Sequence, residues 1–418
     1  MKHRPSNPWL IALAGMAILA LAGPAAATAS SQRAIVGVTT VEVGAPGNPS
    51  VGIVPFTDAI YKSCAEAAES KPACQTVGGV GYRYGIGMLE VTVGQWVKFL
   101  NTVDPTGRDK HDLYDPSQTP ALWPKYGQID ESPQTRMGRH YSVGYPEWAD
   151  KPYGFANFLR AARFVNSLYN GQVLSKRAGV SDGFKYVNYR VRLSRNTERG
   201  MYDLARHKRS GATREHKRGF VVPSQDEWIK AAYYDPNGGG TYSYWKYPTN
   251  PGVFGNETEA PASSTLDPAT GDVTNSSTQP LATYYDSEKP APSWCPGGVE
   301  QSICSSVNPF GIDPTTYAQL YKGSLGTVGQ AGTRSPWGTL DQGGNAVEWT
   351  DTITPPPSGR SDGRVWRRLH GGISNSTAYQ MWISAVGLQP QYNKFYDLTY
   401  PWLGFRIGVL GDLQVAKP

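Results

Sequence analysis

Two stretches of the chain alternate apolar residues with polar or small ones, and this period of two predicts β-strands with one buried face. They cover residues 34–43 and 82–92. Beyond Thr92, the apolar positions of residues 96–100 follow at helical spacing, and the Thr92 hydroxyl is placed to cap that helix. The sequence therefore predicts two strands and then a helix.

Two more helices are predicted further along the chain. Residues 155–168 place apolar side chains on one face, and an Asn-Gly pair ends the pattern. Ser224 and Glu227 can form a capping box, in which each side chain binds the backbone amide of the other residue. Residues 235–336 are rich in Gly, Pro, Ser, Thr and Asn without a clear period, which predicts loops with short strands.

The composition favours a folded protein built mostly of loops. Its 47 glycines and 33 prolines are below the share that marks disorder, while 25 tyrosines and 12 tryptophans can fill a core. The formal net charge of +6 is too small to indicate a nucleic-acid partner by itself. Ten basic residues lie between Arg190 and Arg218 without an aromatic stacking platform. We therefore expect a solvated loop there, and no nucleic acid among the partners.

The first 29 residues have the features of a cleaved secretory signal. Lys2 and Arg4 precede an apolar run that is too short for a spanning helix, and small residues follow up to Ala29. We expect cleavage after Ala29 and a secreted or periplasmic protein without a membrane span. A retained N-terminal anchor is the alternative.

The four cysteines fall into two groups that are close in sequence, Cys64 with Cys74 and Cys295 with Cys304. An exported chain meets an oxidising compartment, so two short local disulfides are the simplest arrangement. Four cysteines allow three connectivities, and the sequence does not decide between them.

Seven short motifs occur in an order and spacing that together resemble the formylglycine-generating enzyme, or sulfatase-modifying factor, family. They are Met88-Leu89-Glu90-Val91-Thr92, Ala161-Ala162-Arg163-Phe164, Val222-Pro223-Ser224-Gln225-Asp226-Glu227-Trp228, Ser335-Pro336-Trp337-Gly338, Gly344-Asn345-Ala346-Val347-Glu348-Trp349, His370-Gly371-Gly372 and Gly404-Phe405-Arg406. The resemblance implies a single α+β domain related to the C-type lectin fold, loop-rich with limited helix and strand. We assign residues 30–412 to this domain, with insertions near 55–80 and 236–330, and residues 413–418 to a tail.

The resemblance also implies a calcium site. Asn345, Ala346 and Glu348 match positions where the family holds this ion with side-chain oxygens and adjacent backbone carbonyls, the ligands that a hard cation requires. The alternative is that Asn345 and Glu348 only brace a turn before a strand.

The family's copper chemistry is not expected in this chain. Catalytic members carry two cysteines after the paired glycines, and those positions are held here by Ser376 and Met381. A hydroxyl and one thioether cannot replace two thiolates at copper(I). We therefore expect no copper and no formylglycine-generating oxidase activity.

A non-catalytic binding module for a glycan, a peptide or a partner protein is the function that the sequence favours. The candidate contact residues are Ser374, Asn375, Ser376, Tyr379, Trp382 and Tyr392. Mixtures of Tyr, Trp, Ser and Asn make adaptable contact surfaces. An enzyme of the same family that uses another metal or base is the second hypothesis, and a structural component of an envelope or extracellular assembly is the third.

Overall fold

The computed structural model describes residues 33–54, 60–61, 74–119, 128–132, 135–207, 210–238, 243–249, 260–267, 270–275, 277, 280–284, 325–356, 363–374, 376–391 and 401–417. The predicted signal of residues 1–29 lies outside these ranges.

Short strands and a few helices make up the described residues. The strands are β1 Ile35–Val43, β2 Val51–Ile53, β3 Ile60–Tyr61, β4 Gln75–Val77, β5 Tyr84–Gly87, β6 Ile129–Glu131, β7 Tyr141–Val143, β8 Gln172–Ser181, β9 Phe184–Arg192, β10 Gly219–Val221, β11 Ala262–Ser263, β12 Leu281–Ala282, β13 Val347–Thr354, β14 Trp366–His370, β15 Gly387–Pro390, β16 Leu403–Gly404 and β17 Gly408–Leu410. The helices are α1 Val93–Val103, α2 Phe158–Tyr169, α3 Leu204–His207 and α4 Gln225–Tyr233, with 3-10 turns at Pro116–Gln118, Pro146–Trp148 and Ala378–Met381. The protein is a mixed α+β structure in which strands and loops outweigh helices.

The main sheet has six strands in the order β10-β17-β5-β1-β9-β8, and all of its pairs are antiparallel. The first and last strands, β1 and β17, therefore lie in one sheet with β5 between them. A second sheet has the order β15-β14-β13-β16, with β13 and β16 parallel. None of the helices in the described ranges combines the length and the apolarity that crossing a bilayer requires.

The predicted strand at 34–43 is confirmed as β1, whereas the one at 82–92 is too long. Ladder pairing of β5 ends at Gly87, and the next residues turn the Glu90 side chain into the interior. The hairpin of β8 and β9 was missed. Its turn, Asp182-Gly183, has positive φ at both residues (51° and 82°), which is the Asp-Gly signal of a tight hairpin.

The predicted helix caps are present. Thr92 forms a capping box with Gln95 at α1, and Ser224 forms one with Glu227 at α4. The predicted start of the second helix was wrong by three residues. Phe155 has a φ of 55° in the left-handed region, so the helix begins only after Asn157, which caps it.

The core beneath the main sheet is built around Trp96 of α1. Its buried indole stacks on Tyr153 with ring centroids 4.2 Å apart, lies 5.8 Å from Phe164 of α2, and meets Phe405 edge-on at 6.1 Å. Aromatic residues thus join α1 and α2 to the segment between β16 and β17. Truncating a fully buried aromatic residue of this kind costs about 3–5 kcal/mol of stability.

Candidate functional site

A buried ion pair connects β13 to the segment before β17. The carboxylate of Glu348 accepts hydrogen bonds from the guanidinium of Arg406 (Nε to Oε2, 2.6 Å; Nη2 to Oε1, 2.5 Å). Trp228 Nε1 of α4 donates to the same carboxylate at 2.8 Å. Arg406 also donates to the carbonyl oxygens of Gly87 and Leu340. Each charged group is thus met by partners, as a buried pair requires.

Asn345 and Ala346 bind a second buried acid. The Asn345 Oδ1 atom accepts the Gly326 amide at 2.9 Å, and the Asn345 Nδ2 and Ala346 amide groups donate to Glu90 at 3.3 and 3.2 Å. Burial, followed by the nearby charges of Asp341 and Glu348, raises the pKa of Glu90 well above its ordinary value. Burial also raises the pKa of Asp341, to about 6.

These contacts allow a test of the expected calcium ligands. Calcium needs six to eight oxygen atoms that face the ion. The oxygens of Glu348 face Arg406 and Trp228, and the side-chain oxygen of Asn345 faces the Gly326 amide. Within the described residues, no group of three or more His, Cys, Asp or Glu side chains is arranged to hold a metal. The side chains of Asn345 and Glu348 in this arrangement do not fit a calcium centre, and the ion stays a prediction.

Ser376 and Met381 are turned away from the surface. The Ser376 hydroxyl accepts the Ile373 amide at 3.0 Å and donates to the side-chain oxygen of Gln380. Met381 is fully buried beside Tyr247, in a small core cluster. The hydroxyl therefore braces a turn and the thioether fills a core, and contact of Ser376 with a ligand stays a prediction.

Tyr379 lies on the surface of the same turn, with 46% of the residue exposed. Gln380, whose side-chain oxygen is held by Ser376, extends its amide nitrogen to the Tyr379 hydroxyl at 3.3 Å. Trp382 meets the Tyr379 ring nearly edge-on, with centroids 6.1 Å apart. The exposed ring is thus supported from two sides.

Lys246 also contacts Trp382. Its ammonium group lies 4.4 Å from the centre of the indole, within the range of a cation–π contact. The Lys246 carbonyl accepts the Ile383 amide at 3.2 Å, which fixes the two segments beside each other. We call Tyr379, Trp382 and Lys246 the aromatic platform.

Local packing explains why the platform faces outward. Gly371 and Gly372 have φ angles of 111° and 72°, which let the chain turn sharply after β14. The following 3-10 turn buries Met381 and then Ile383 in the interior. Between these two anchors, the Tyr233 hydroxyl donates to the Met381 carbonyl at 2.9 Å. Beside these anchors, Tyr379 is exposed, and Trp382 and Lys246 are partly exposed.

His370 does not join this surface. Its ring is buried and stacks on Trp228, with centroids 5.2 Å apart and planes 24° from parallel. Burial, with a smaller effect of Arg368, lowers the pKa of His370 to about 3. The ring is therefore neutral at physiological pH and sits behind the turn, packed against α4.

The remaining predicted residues fall into two groups. Ser374 is half-buried, and its amide donates to the Asn345 carbonyl at 2.9 Å. Cys74 is disulfide-bonded, and its partner is not among the described residues. The residues outside the described ranges are Asn375, Tyr392, Cys64, Cys295 and Cys304.

Two residues with roles in these contacts, Lys246 and Arg406, were not predicted. Lys246 lies in the stretch that was predicted only as loops, where no period marks it. Arg406 was quoted as part of a motif, but nothing in the sequence identifies Glu348 as its partner.

No family model and no curated protein matches this chain. Among solved structures, it is similar to Treponema denticola variable protein 1 at 14% identity, over 90% of this chain and 96% of the other, with a TM-score of 0.42. It is also similar to CarF (13% identity, 91% and 100% coverage, TM-score 0.39) and to PvdO from Pseudomonas aeruginosa (11% identity, 90% and 94% coverage, TM-score 0.36). Likeness at this level carries no argument about function.

Proposed function

We propose that this protein is a non-catalytic binding module whose aromatic platform takes a glycan. The observation that carries the proposal is the 46% exposure of Tyr379 on a turn that is otherwise anchored in the core. An exposed tyrosine costs little to order because its support is already rigid, and it offers both an apolar face and a hydroxyl.

The chemistry of the platform favours a sugar. A sugar ring presents C–H groups on its faces and hydroxyl groups at its edge. The Tyr379 ring can cover the first, while the Gln380 amide and the Tyr379 hydroxyl can bind the second. Few, well-placed polar groups beside an apolar surface are typical of sites that orient a small ligand.

The enzyme hypothesis has less support at the same place. Acid–base catalysis needs an ionisable group within hydrogen-bond reach of the substrate. His370 and Glu348, two ionisable residues of the motifs near this turn, contact Trp228 and Arg406 instead. The hydroxyl of Ser376 is engaged by Ile373 and Gln380.

The setting of the proposed function comes from the sequence resemblance. We infer a fold of the formylglycine-generating-enzyme type, related to C-type lectins, in a protein that is secreted or periplasmic. In such a compartment a glycan ligand is accessible, and a purely structural role in an envelope assembly is the remaining alternative.

An array of neutral oligosaccharides tests the ligand class. The purified protein should bind a subset of the array, and Trp382→Ala should lose that binding because the ring that supports Tyr379 is gone. Met137→Ala is a matched control, since Met137 is a large apolar residue with 56% exposure at a different place. The glycan proposal is wrong if the protein binds no oligosaccharide on the array, or if Trp382→Ala and Met137→Ala change oligosaccharide binding to the same extent.

A further inference from the structure

Basic side chains gather where α2 ends and β8 begins. Asn170, just after α2, donates from its side chain to the carbonyls of Asn196 (3.0 Å) and Arg199 (2.6 Å). These two bonds place the turn that carries Arg199 at the C-terminal end of α2. Arg192, at the end of β9, donates to the side chain of Gln172 at 2.9 Å and so lies at the same end.

A second segment reaches this place through an aromatic stack. The ring of Tyr169, the last residue of α2, lies parallel to His216, with centroids 5.0 Å apart and planes at 9°. Lys217 and Arg218 follow directly, and both are exposed. We call Arg192, Arg199, Lys217 and Arg218 the basic cluster.

The acidic residues nearby offset little of this charge. Glu198 is bound by the buried Arg163 at 2.6 Å, and Asp203, just before α3, accepts the Arg206 backbone amide at 3.1 Å. Asp412 is paired with Lys176 and lies near Arg218. Among the acidic side chains of residues 190–218, that of Glu215 is exposed to solvent. The carbonyl groups that end α2 favour cations around them.

We propose that the basic cluster binds a linear anionic polysaccharide, one that carries carboxylate or sulfate groups along its chain. This surface is separate from the aromatic platform, which lies on the turn after β14. Spaced cations on one surface attract a polyanion and raise its rate of association. The stack of Tyr169 on His216 holds the segment of Lys217 and Arg218 at the end of α2.

A nucleic acid fits this surface less well. Proteins that bind single strands stack successive bases on several aromatic side chains. Here one face of Tyr169 is already covered by His216, so the cluster offers charge without a series of stacking positions.

The proposal is tested by measuring the affinity of the protein for four ligands at about 0.15 M salt. They are heparin, a polyuronate, neutral dextran and a single-stranded oligonucleotide. Heparin and the polyuronate should bind, dextran should not, and the oligonucleotide should bind more weakly. The variant Lys217→Glu/Arg218→Glu should weaken heparin binding roughly tenfold, because each reversal removes an attraction and adds a repulsion. Arg199→Glu, on the other segment, should also weaken it and guards against misfolding of the first variant.

The matched control is Arg136→Glu/Arg139→Glu, which makes the same change of charge at two exposed arginines on another loop. This variant should keep a heparin affinity within about twofold of the wild type, because charges this far from the basic cluster act on the ligand only at long range and are screened by salt. Tyr379→Ala should also leave it unchanged, which separates this proposal from the glycan platform. Equal losses in the cluster and control variants, absence of heparin binding, or tighter binding of the oligonucleotide would each overturn the proposal.

Discussion

The guanidinium of Arg406 and the carboxylate of Glu348 form a bidentate ion pair in which both side chains are completely buried. The pair joins two of the motifs on which the family resemblance rests, Gly-Phe-Arg and Asn-Ala-Val-Glu, across 58 residues of sequence. A residue that the resemblance suggested as a metal ligand therefore acts, in this arrangement, as the counter-charge of an arginine.

Replacing Arg406 with methionine should lower the free energy of unfolding by about 3–5 kcal/mol, because Glu348 keeps its buried charge and loses its partner. Urea denaturation measures this loss. Arg83→Met is the matched control, since Arg83 pairs with Glu42 at the surface with 65% and 43% of the side chains exposed. It should cost less than about 1 kcal/mol. Similar losses in the two variants would show that the buried pair is not structural.

Glu348→Gln distinguishes the ion pair from a calcium site. The variant should be destabilised to the same extent in calcium and in chelator, because its loss comes from Arg406 and Trp228. If Glu348 were a calcium ligand, calcium at 100 times its dissociation constant would add about 2.7 kcal/mol to the free energy of unfolding of the wild type. The variant would lack this gain, so the difference between the two proteins would be larger in calcium than in chelator. Thermal melting in the two buffers checks this, and a calcium-dependent difference would restore the metal interpretation.

The stability contributed by Asp341 should depend on pH. Burial raises the pKa of Asp341 from its ordinary 3.8 to about 6, so the folded state holds this proton more tightly than the unfolded chain. The contribution is complete below about pH 4 and is lost as the pH rises through about 6. Relative to Asp341→Asn, the wild type should therefore lose stability across this window, as urea midpoints measure.

Asp182→Asn gives the opposite sign and serves as the control. The side chain of Arg334 lowers the pKa of Asp182, so its contribution is present at neutral pH and is lost on acidification. If Asp341→Asn follows the wild type at every pH, Asp341 does not titrate as described.

The protein should not oxidise a cysteine in a sulfatase-type peptide, with or without copper. Neither the bound hydroxyl of Ser376 nor the buried thioether of Met381 supplies a thiolate. Mass spectrometry of the peptide should show no change, while a family member that keeps both cysteines converts it under the same conditions. A mass loss that corresponds to an aldehyde would mean that the reaction uses other residues.

Non-reducing peptide mapping should find no free thiol and should pair Cys64 with Cys74 and Cys295 with Cys304. Cys74 is disulfide-bonded, and the pairing stays a prediction that rests on proximity in sequence. Closing loops this short contributes up to about 2–3 kcal/mol. A crossed pairing or a free cysteine would contradict the assignment.

Elements that depend only on neighbouring residues were predictable from local signals. The caps at Thr92 and Ser224 were predictable because a cap and its partner are three residues apart. The turn at Asp182-Gly183 carried an equally local signal that we did not interpret. The start of α2 was predicted too early because a local signal was misleading there. The apolar spacing continues through Phe155, although its backbone is left-handed.

The candidate site was less predictable because its contacts join distant segments. Tyr379, Trp382 and Ser376 were named as candidates from residue type alone, and residue type does not show that the Ser376 hydroxyl is bonded within its own turn. Lys246 contacts Trp382 from a segment more than a hundred positions earlier, and no periodic pattern in the sequence predicts that contact. Residue type suggests what can bind, whereas burial decides which of those groups a ligand can reach.

The affinity of Tyr379→Ala for the strongest neutral oligosaccharide on the array tests the central claim most directly, measured by titration calorimetry beside Tyr82→Ala. Tyr82 is a fair control because the same fraction of it, 46%, is exposed, and its hydroxyl bonds to Glu227 away from the platform. We predict that Tyr379→Ala weakens binding at least about tenfold, as expected for an aromatic residue at the centre of a contact surface. Tyr82→Ala should leave the affinity unchanged. Unchanged binding by Tyr379→Ala, or equal losses in both variants, would contradict the platform.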